Sequence, residues 1–134
     1  MAYGLTWTAH GIEVKYTGAL VAEEMLACHW QIATDSRFDD LRSVIIDTLQ
    51  VASTSLTRSD VEEIDAFLRG PSLSNPNVQV AVVATHPGVI QALSWYDAIQ
   101  DRAFDVLLCG SVEAARRLFK IIAPTFRPRG SARK

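Results

Sequence analysis

Three short apolar runs constrain what this chain can fold into: "SVIIDTLQV" (43–51), "VQVAVVAT" (78–85) and "FDVLLCG" (104–110). The unbroken Val44-Ile45-Ile46 centre leaves no polar residue for a solvent face, which suits a strand covered on both sides. Each run is followed by a stretch of helical period. After the first, "TRSDVEEIDAFLRG" sets Val61, Ile64 and Leu68 on one stripe. After the second, Pro87-Gly88 opens a helix with Val89, Leu93 and Tyr96 inward. After the third, Ser111 caps a helix carrying Val112, Ala115, Leu118, Phe119 and Ile122. Buried strands alternating with amphipathic helices imply parallel pairing through right-handed crossovers.

Upstream the period changes. In "GIEVKYTGALV", Ile12, Val14 and Tyr16 alternate with Glu13, Lys15 and Thr17, and His10-Gly11 marks a turn from "YGLTWTAHG", so the spacing predicts a hairpin. "VAEEMLACHWQIATDSRF" is helical: Val21, Met25, Cys28 and Ile32 form a stripe that Leu26, Trp30 and Ala33 widen. Glu23 and Glu24 fall in its first turn, where the helix dipole favours them. Gly70 and Pro71 are expected to stop the helix after the first apolar run. The order is β-β-α-β-α-β-α-β-α. The expected fold class is α/β, a single mixed five-stranded sheet with an N-terminal hairpin plus parallel βαβ units, flanked by four helices. A chain of 134 residues has the commonest size of one domain. The domain is expected over 1–124, with a flexible basic tail at 125–134.

Charge excludes one partner class. Four of the 13 basic residues and none of the 15 acidic ones lie in "RPRGSARK" (127–134), so residues 1–126 carry nine basic groups and a formal net of −6. An acidic body repels phosphate backbones, and nucleic-acid binding by the folded part is disfavoured. Cys28 and Cys109 are too few and too far apart for a disulfide framework or a zinc cluster. Two thiols inside apolar periodic stretches fit a reducing, cytoplasmic setting. "MAYGLTWTAHG" lacks the basic-then-apolar order of a signal peptide, and no stretch approaches ~18 apolar residues, so no transmembrane segment is expected.

In open α/β sheets ligands gather beyond the carboxyl ends of the parallel strands. Asp47, His86 and Cys109 fall there. Together they could form a Cys-His-Asp hydrolase with Cys109 as nucleophile. Against that, Cys109 lacks a Gly-x-Cys-x-Gly elbow, His86 before Pro87 is placed to cap a helix, and Asp47 can cap a turn. No strand–helix junction carries a Gly-rich phosphate loop. His10, His29 and His86 are not at metal-ligand spacing. No catalytic, cofactor-binding or metal-binding residue is therefore expected. The hydroxyl run in "VASTSLTRSD" (51–60) remains. Thr57 with Asp60 reads as a capping box, a cap whose loss costs on the order of 1 kcal/mol. Ser53, Thr54 and Ser55 are not needed for that cap, and they would lie near a positive helix terminus that welcomes an anion or phosphoryl group.

"YGLTW…GIEVKYTGALVAEE", "DSRFDDLRSVIIDTLQV", "NPNVQVAVVATHPGVIQALSWYDAI" and "FDVLLCGSVEAARRLF" together resemble the SpoIIAA-like branch of the STAS superfamily over roughly residues 3–120. Its founding relatives are anti-sigma-factor antagonists. The resemblance implies a STAS/SpoIIAA-like fold and a non-enzymatic regulatory or protein-binding module of a bacterial cytoplasm, with a homodimer as one form. The founding antagonists carry a phosphorylatable serine in an Asp-Ser-Ser-Gly motif at the start of the helix after the middle strand. The matching region here has serines without that motif, and Ser55 or Ser53 is the phospho-acceptor that position implies. Some members of the branch look like carriers of apolar or membrane-associated ligands, which makes a small apolar ligand or lipid the alternative to a protein partner. Either occupant would meet a surface of Asp47, Ser53, Thr54, Ser55, Thr57, His86 and Trp95, the last lying off the inner Leu93–Tyr96 stripe.

Overall fold

Right-handed crossovers that step in one direction along a parallel sheet place all their helices on the same face, and that rule organises this chain. The computed structural model describes residues 3–122, so the expected tail at 125–134 lies outside the described residues. The elements are β1 (Tyr3–Trp7), β2 (Gly11–Leu20), α1 (Ala22–Ala33), β3 (Ser43–Thr54), α2 (Arg58–Ser74), β4 (Gln79–Val83), α3 (Pro87–Asp97), β5 (Val106–Cys109) and α4 (Val112–Ile122). A 3₁₀ turn at Phe38–Asp40 precedes β3. The five strands lie in sequence order in one sheet, β1 antiparallel to β2 and every later pair parallel.

The two phases of each strand feed two different cores. Ile12, Val14 and Tyr16 of β2, Val44 and Ile46 of β3, and Val80 and Val82 of β4 pack with Cys28 and Ile32 of α1 and Val89 of α3. Val61 of α2 joins Ala92 and Tyr96 of α3 over the same face. The opposite phase, Ile45 of β3 with Ala81 and Val83 of β4, packs against Val112, Ala115 and Phe119 of α4. Val44–Ile46 of β3 and the centre of β4 are thus covered twice, which is why those stretches lack a polar phase. Burial pushes the Cys28 thiol up to about 11, so it behaves as a small inert hydrophobe.

The structure departs from the sequence-based expectations in four places. Gly70 and Pro71 do not stop α2, which runs on to Ser74. Proline removes one intrahelical donor but keeps its carbonyl, and Pro71 O accepts the Asn75 N–H at 2.9 Å. Asn75, buried, then ties the helix end to the 3₁₀ turn by donating from Nδ2 to Phe38 O (2.8 Å) and Leu41 O (2.9 Å). β3 extends past residue 51 to Thr54, because β2 is long enough to pair with it out to Leu20. Trp30 does not widen the inner stripe of α1 and is 60% exposed. It lies about 200° around the helix from Cys28. Finally, β5 is a sheet edge rather than a fully covered strand, and Leu107 and Leu108 are exposed there.

Candidate interaction site at the carboxyl edge of the sheet

The carboxyl ends of β3 and β4 deliver two helix N-termini to one edge. The last ladder pair of β3 with β2 joins Thr54 to Leu20. Thr54 Oγ1 donates to Leu20 O at 3.0 Å and accepts the Leu56 N–H at 3.2 Å, while the Ser55 N–H donates to Leu20 O at 3.4 Å. Thr57 then caps α2 reciprocally: its Oγ1 accepts the Asp60 N–H at 3.1 Å and its own N–H donates to Asp60 Oδ2 at 3.0 Å. His86 caps α3, its Nδ1 accepting the Gly88 N–H at 2.9 Å. A methyl on Gly88 would fall 2.7 Å from Thr54 Cγ2, so glycine is what allows the start of α3 to close on the end of β3.

Those bonds give Thr54, Thr57 and His86 structural work. Ser53, a strand residue rather than a loop one, and Ser55 are exposed, and neither side chain makes a hydrogen bond among the described residues. Asp47 stands apart from them. Its Oδ1 accepts the Leu49 N–H at 3.0 Å, where the β2–β3 register slips between Lys15/Thr17 and the ladder leaves a bulge. Asp47 and Cys109 share the strand phase of Ile45, and Cys109 packs against the α4-side core. His86 is held at the start of α3, across the sheet. The three residues are not gathered into a catalytic group.

Trp95 is half-buried on α3 against Val61, Ala92 and Tyr96. The Arg58 guanidinium of α2 lies 6.0 Å from its ring centroid, at the outer reach of a cation–π contact. Arg58, Glu62 and Asp65 with Trp95, Ala98 and Ile99 bound a groove of about 300 Å³ between the two helices. Asp65 is a functional-looking acid that the sequence reading missed. It is buried, and Oδ1 accepts the Ala103 N–H at 2.8 Å while Oδ2 accepts from Arg69 Nη2 at 2.8 Å. An acid on an amphipathic helix otherwise reads as solvent-facing, so nothing in the sequence marked it.

Beneath the same edge lies a half-open hollow of about 150 Å³ between the sheet and α1, α2 and α3. Its wall is apolar apart from three side chains. Two are satisfied: Thr48 Oγ1 donates to Val83 O at 2.7 Å and Tyr96 Oη donates to Phe104 O at 2.8 Å. The third, His29 of α1, is half-buried and makes no hydrogen bond among the described residues, and desolvation pushes its imidazole down to about 4. Leu56, between the exposed Ser55 and the cap Thr57, also lines the cavity. Among the described residues no group of three His, Cys, Asp or Glu stands close enough to hold a metal ion. No helix among them is long and apolar enough to cross a membrane.

Sheet order, the three helices on one face and the fourth on the other define a SpoIIAA-like, STAS-type α/β fold. No family model and no curated protein matches the sequence. Among solved structures the chain is similar to the anti-sigma-factor antagonist SpoIIAA in its unphosphorylated form, with a TM-score of 0.58, 12% identity, and 87% of this chain and 97% of that chain covered. It is also similar to the Bacillus cell fate determinant SpoIIAA in the phosphorylated form, with a TM-score of 0.53, 14% identity and coverage of 87% and 99%. At such identities the likeness is one of fold.

Proposed function

We propose that this protein is a non-enzymatic, regulatory interaction domain that binds another protein through the carboxyl edge of its sheet. The observation that carries this reading is the pair of exposed, unbonded hydroxyls, Ser53 and Ser55, between Thr54, Thr57 and His86, whose side chains all have structural work. A phosphoryl group on Ser55 would lie just ahead of the α2 N-terminus and near Arg58, where the helix dipole and a guanidinium both favour an anion. The partner surface then extends along Arg58 to the half-buried Trp95, an aromatic and arginine pair of the kind that dominates protein interfaces. The reading is also supported by the likeness in fold to SpoIIAA, a protein whose solved structures include an unphosphorylated and a phosphorylated form.

The switch has its own test. Mass spectrometry of the protein recovered from its native cells is expected to find phosphate on Ser55 or Ser53, and Ser55→Asp is expected to change partner affinity by about tenfold or more. Unmodified serines, together with unchanged binding by a Ser53→Ala/Ser55→Ala variant, would remove the switch and leave the interface. A second reading, a binding module for a small apolar ligand, is favoured by the cavity under Leu56. Its volume is well below the ~300–1,000 Å³ of ordinary ligand pockets, which disfavours a lipid chain.

A further inference from the structure

We propose that α4 and the basic residues after it form a docking surface for an anionic lipid bilayer, on which the protein rests with its other three helices turned away. This face is separate from the partner edge, so the inference goes beyond the function proposed above.

Charge is divided between the two faces of the sheet. Residues 111–134 hold seven of the 13 basic groups, the four of "RPRGSARK" with Arg116, Arg117 and Lys120 of α4. They hold one acid, Glu113, which leaves that stretch at a formal +6 and residues 1–110 at −8. The three helices on the opposite face carry seven acids and two cations, Arg58 and Arg69. Helices on opposite faces of a sheet stand roughly 20 Å apart, two packing layers of about 10 Å. Physiological salt screens charge over about 8 Å. An anionic plane laid against α4 therefore meets its cations and is screened from the acids behind the sheet.

Packing sets which side of α4 is free. Val112, Ala115 and Phe119 face the sheet. Arg116 is held by a bidentate pair with Glu13 of β2, both contacts at 2.7 Å. Arg117 lies about 200° around the helix from Phe119. Arg117 and Lys120 are exposed and make no ion pair or side-chain hydrogen bond among the described residues. Leu107 of β5, in phase with Ala81 and Ile45, is 44% exposed on the same side of the sheet. An exposed leucine beside cations, with Phe126 directly before Arg127 in the sequence, supplies the apolar contact that anchors a basic surface at a bilayer interface.

A nucleic acid would meet the same cations and little else. α4 has no Asn, Gln, Ser or Thr to reach a base edge. Trp30, the exposed aromatic among the described residues, is on α1 behind the sheet, so it gives no stacking platform beside α4.

Co-sedimentation of the full chain with vesicles tests this. Binding is expected to phosphatidylcholine vesicles that contain about 30% phosphatidylserine, and not to phosphatidylcholine alone. It should be lost in about 1 M salt, where screening shortens to about 3 Å. A cation near an anionic surface is worth roughly fivefold in binding, so Arg117→Gln and Lys120→Gln should each weaken it by about that factor and the double variant by roughly 25-fold. Arg69→Gln, which removes one cation from the opposite face, should stay within about twofold. The comparison of the two vesicle types uses the unaltered protein and so stands whatever the variants do to folding. No binding to the anionic vesicles at low salt would overturn the proposal. So would equal losses from Arg69→Gln and Lys120→Gln, or an unweakened double variant. Release of the protein from the vesicles by a short oligonucleotide at equal charge would assign the surface to nucleic acid instead.

Discussion

Replacing Asp65 with alanine is expected to destabilise the fold by about 2–4 kcal/mol, read as a lower urea midpoint at unchanged slope. Asp65 is the joint between α2 and the segment that leads into β5. Its two carboxylate oxygens separately accept the Ala103 N–H and the Arg69 guanidinium, both at 2.8 Å. Alanine would leave the Ala103 N–H without its partner in a part-buried site, and a buried donor left unmade costs more than an average hydrogen bond contributes. Next to it, Phe104 is held from both sides by Tyr96, whose hydroxyl donates to Phe104 O and accepts the Phe104 N–H at 3.1 Å. Asp65→Asn keeps an acceptor for Ala103 and loses only the charge toward Arg69, so it should cost about half as much. An alanine variant within ~0.5 kcal/mol of the wild type would show that the joint carries no stability.

The second large effect concerns pH. In the unfolded chain His29 takes a proton near pH 6.5, whereas in the folded protein burial holds that event down to about 4. Between those values the unfolded state binds more protons, so stability falls as pH falls. The contribution is fully present above about pH 6.5 and fully lost below about pH 4. At 1.36 kcal/mol per unit, the gap sets an upper limit of about 3 kcal/mol on the loss, and a half-buried imidazole that keeps some contact with water gives less than that. Urea unfolding of wild type and His29→Leu at pH 7, 5.5 and 4.5 checks it, the wild type weakening across the series more steeply than the variant. Asp35 and Glu13, whose carboxyls are held low by Arg37 and Arg116, are the same in both proteins and drop out of the difference. Parallel curves would mean that the imidazole is wetter than its surroundings imply.

What the sequence made legible follows from what each signal encodes. Strand and helix order was readable because Val44-Ile45-Ile46 and the Val61–Ile64–Leu68 stripe carry burial directly in their spacing. The Thr57–Asp60 box was readable because capping is local. The carry-through of α2 past Gly70-Pro71 was not. Local propensity argues for a stop there, and the compensation comes from Asn75 reaching the carbonyls of Phe38 and Leu41, more than thirty residues away. The same distance problem hid Asp65, whose partner Ala103 lies in the segment leading into β5, 38 residues away. Asp47 looked like a site residue because it ends a strand, yet its carboxylate closes a bulge that only the pairing of β2 and β3 creates. The cavity was illegible for a different reason: empty space has no residue to mark it, and it depends on how far three helices stand from the sheet.

The central claim is that the edge bearing Ser53, Ser55 and Arg58 is where this protein meets a partner. A photo-crosslinking amino acid placed at Ser55, in the full chain expressed in its native cells, tests it most directly. Leu73, 84% exposed at the far end of α2, is the control position. The account predicts a discrete protein adduct from position 55, diminished by Arg58→Ala, with none from position 73. An adduct formed equally at both positions, or only at 73, would contradict it.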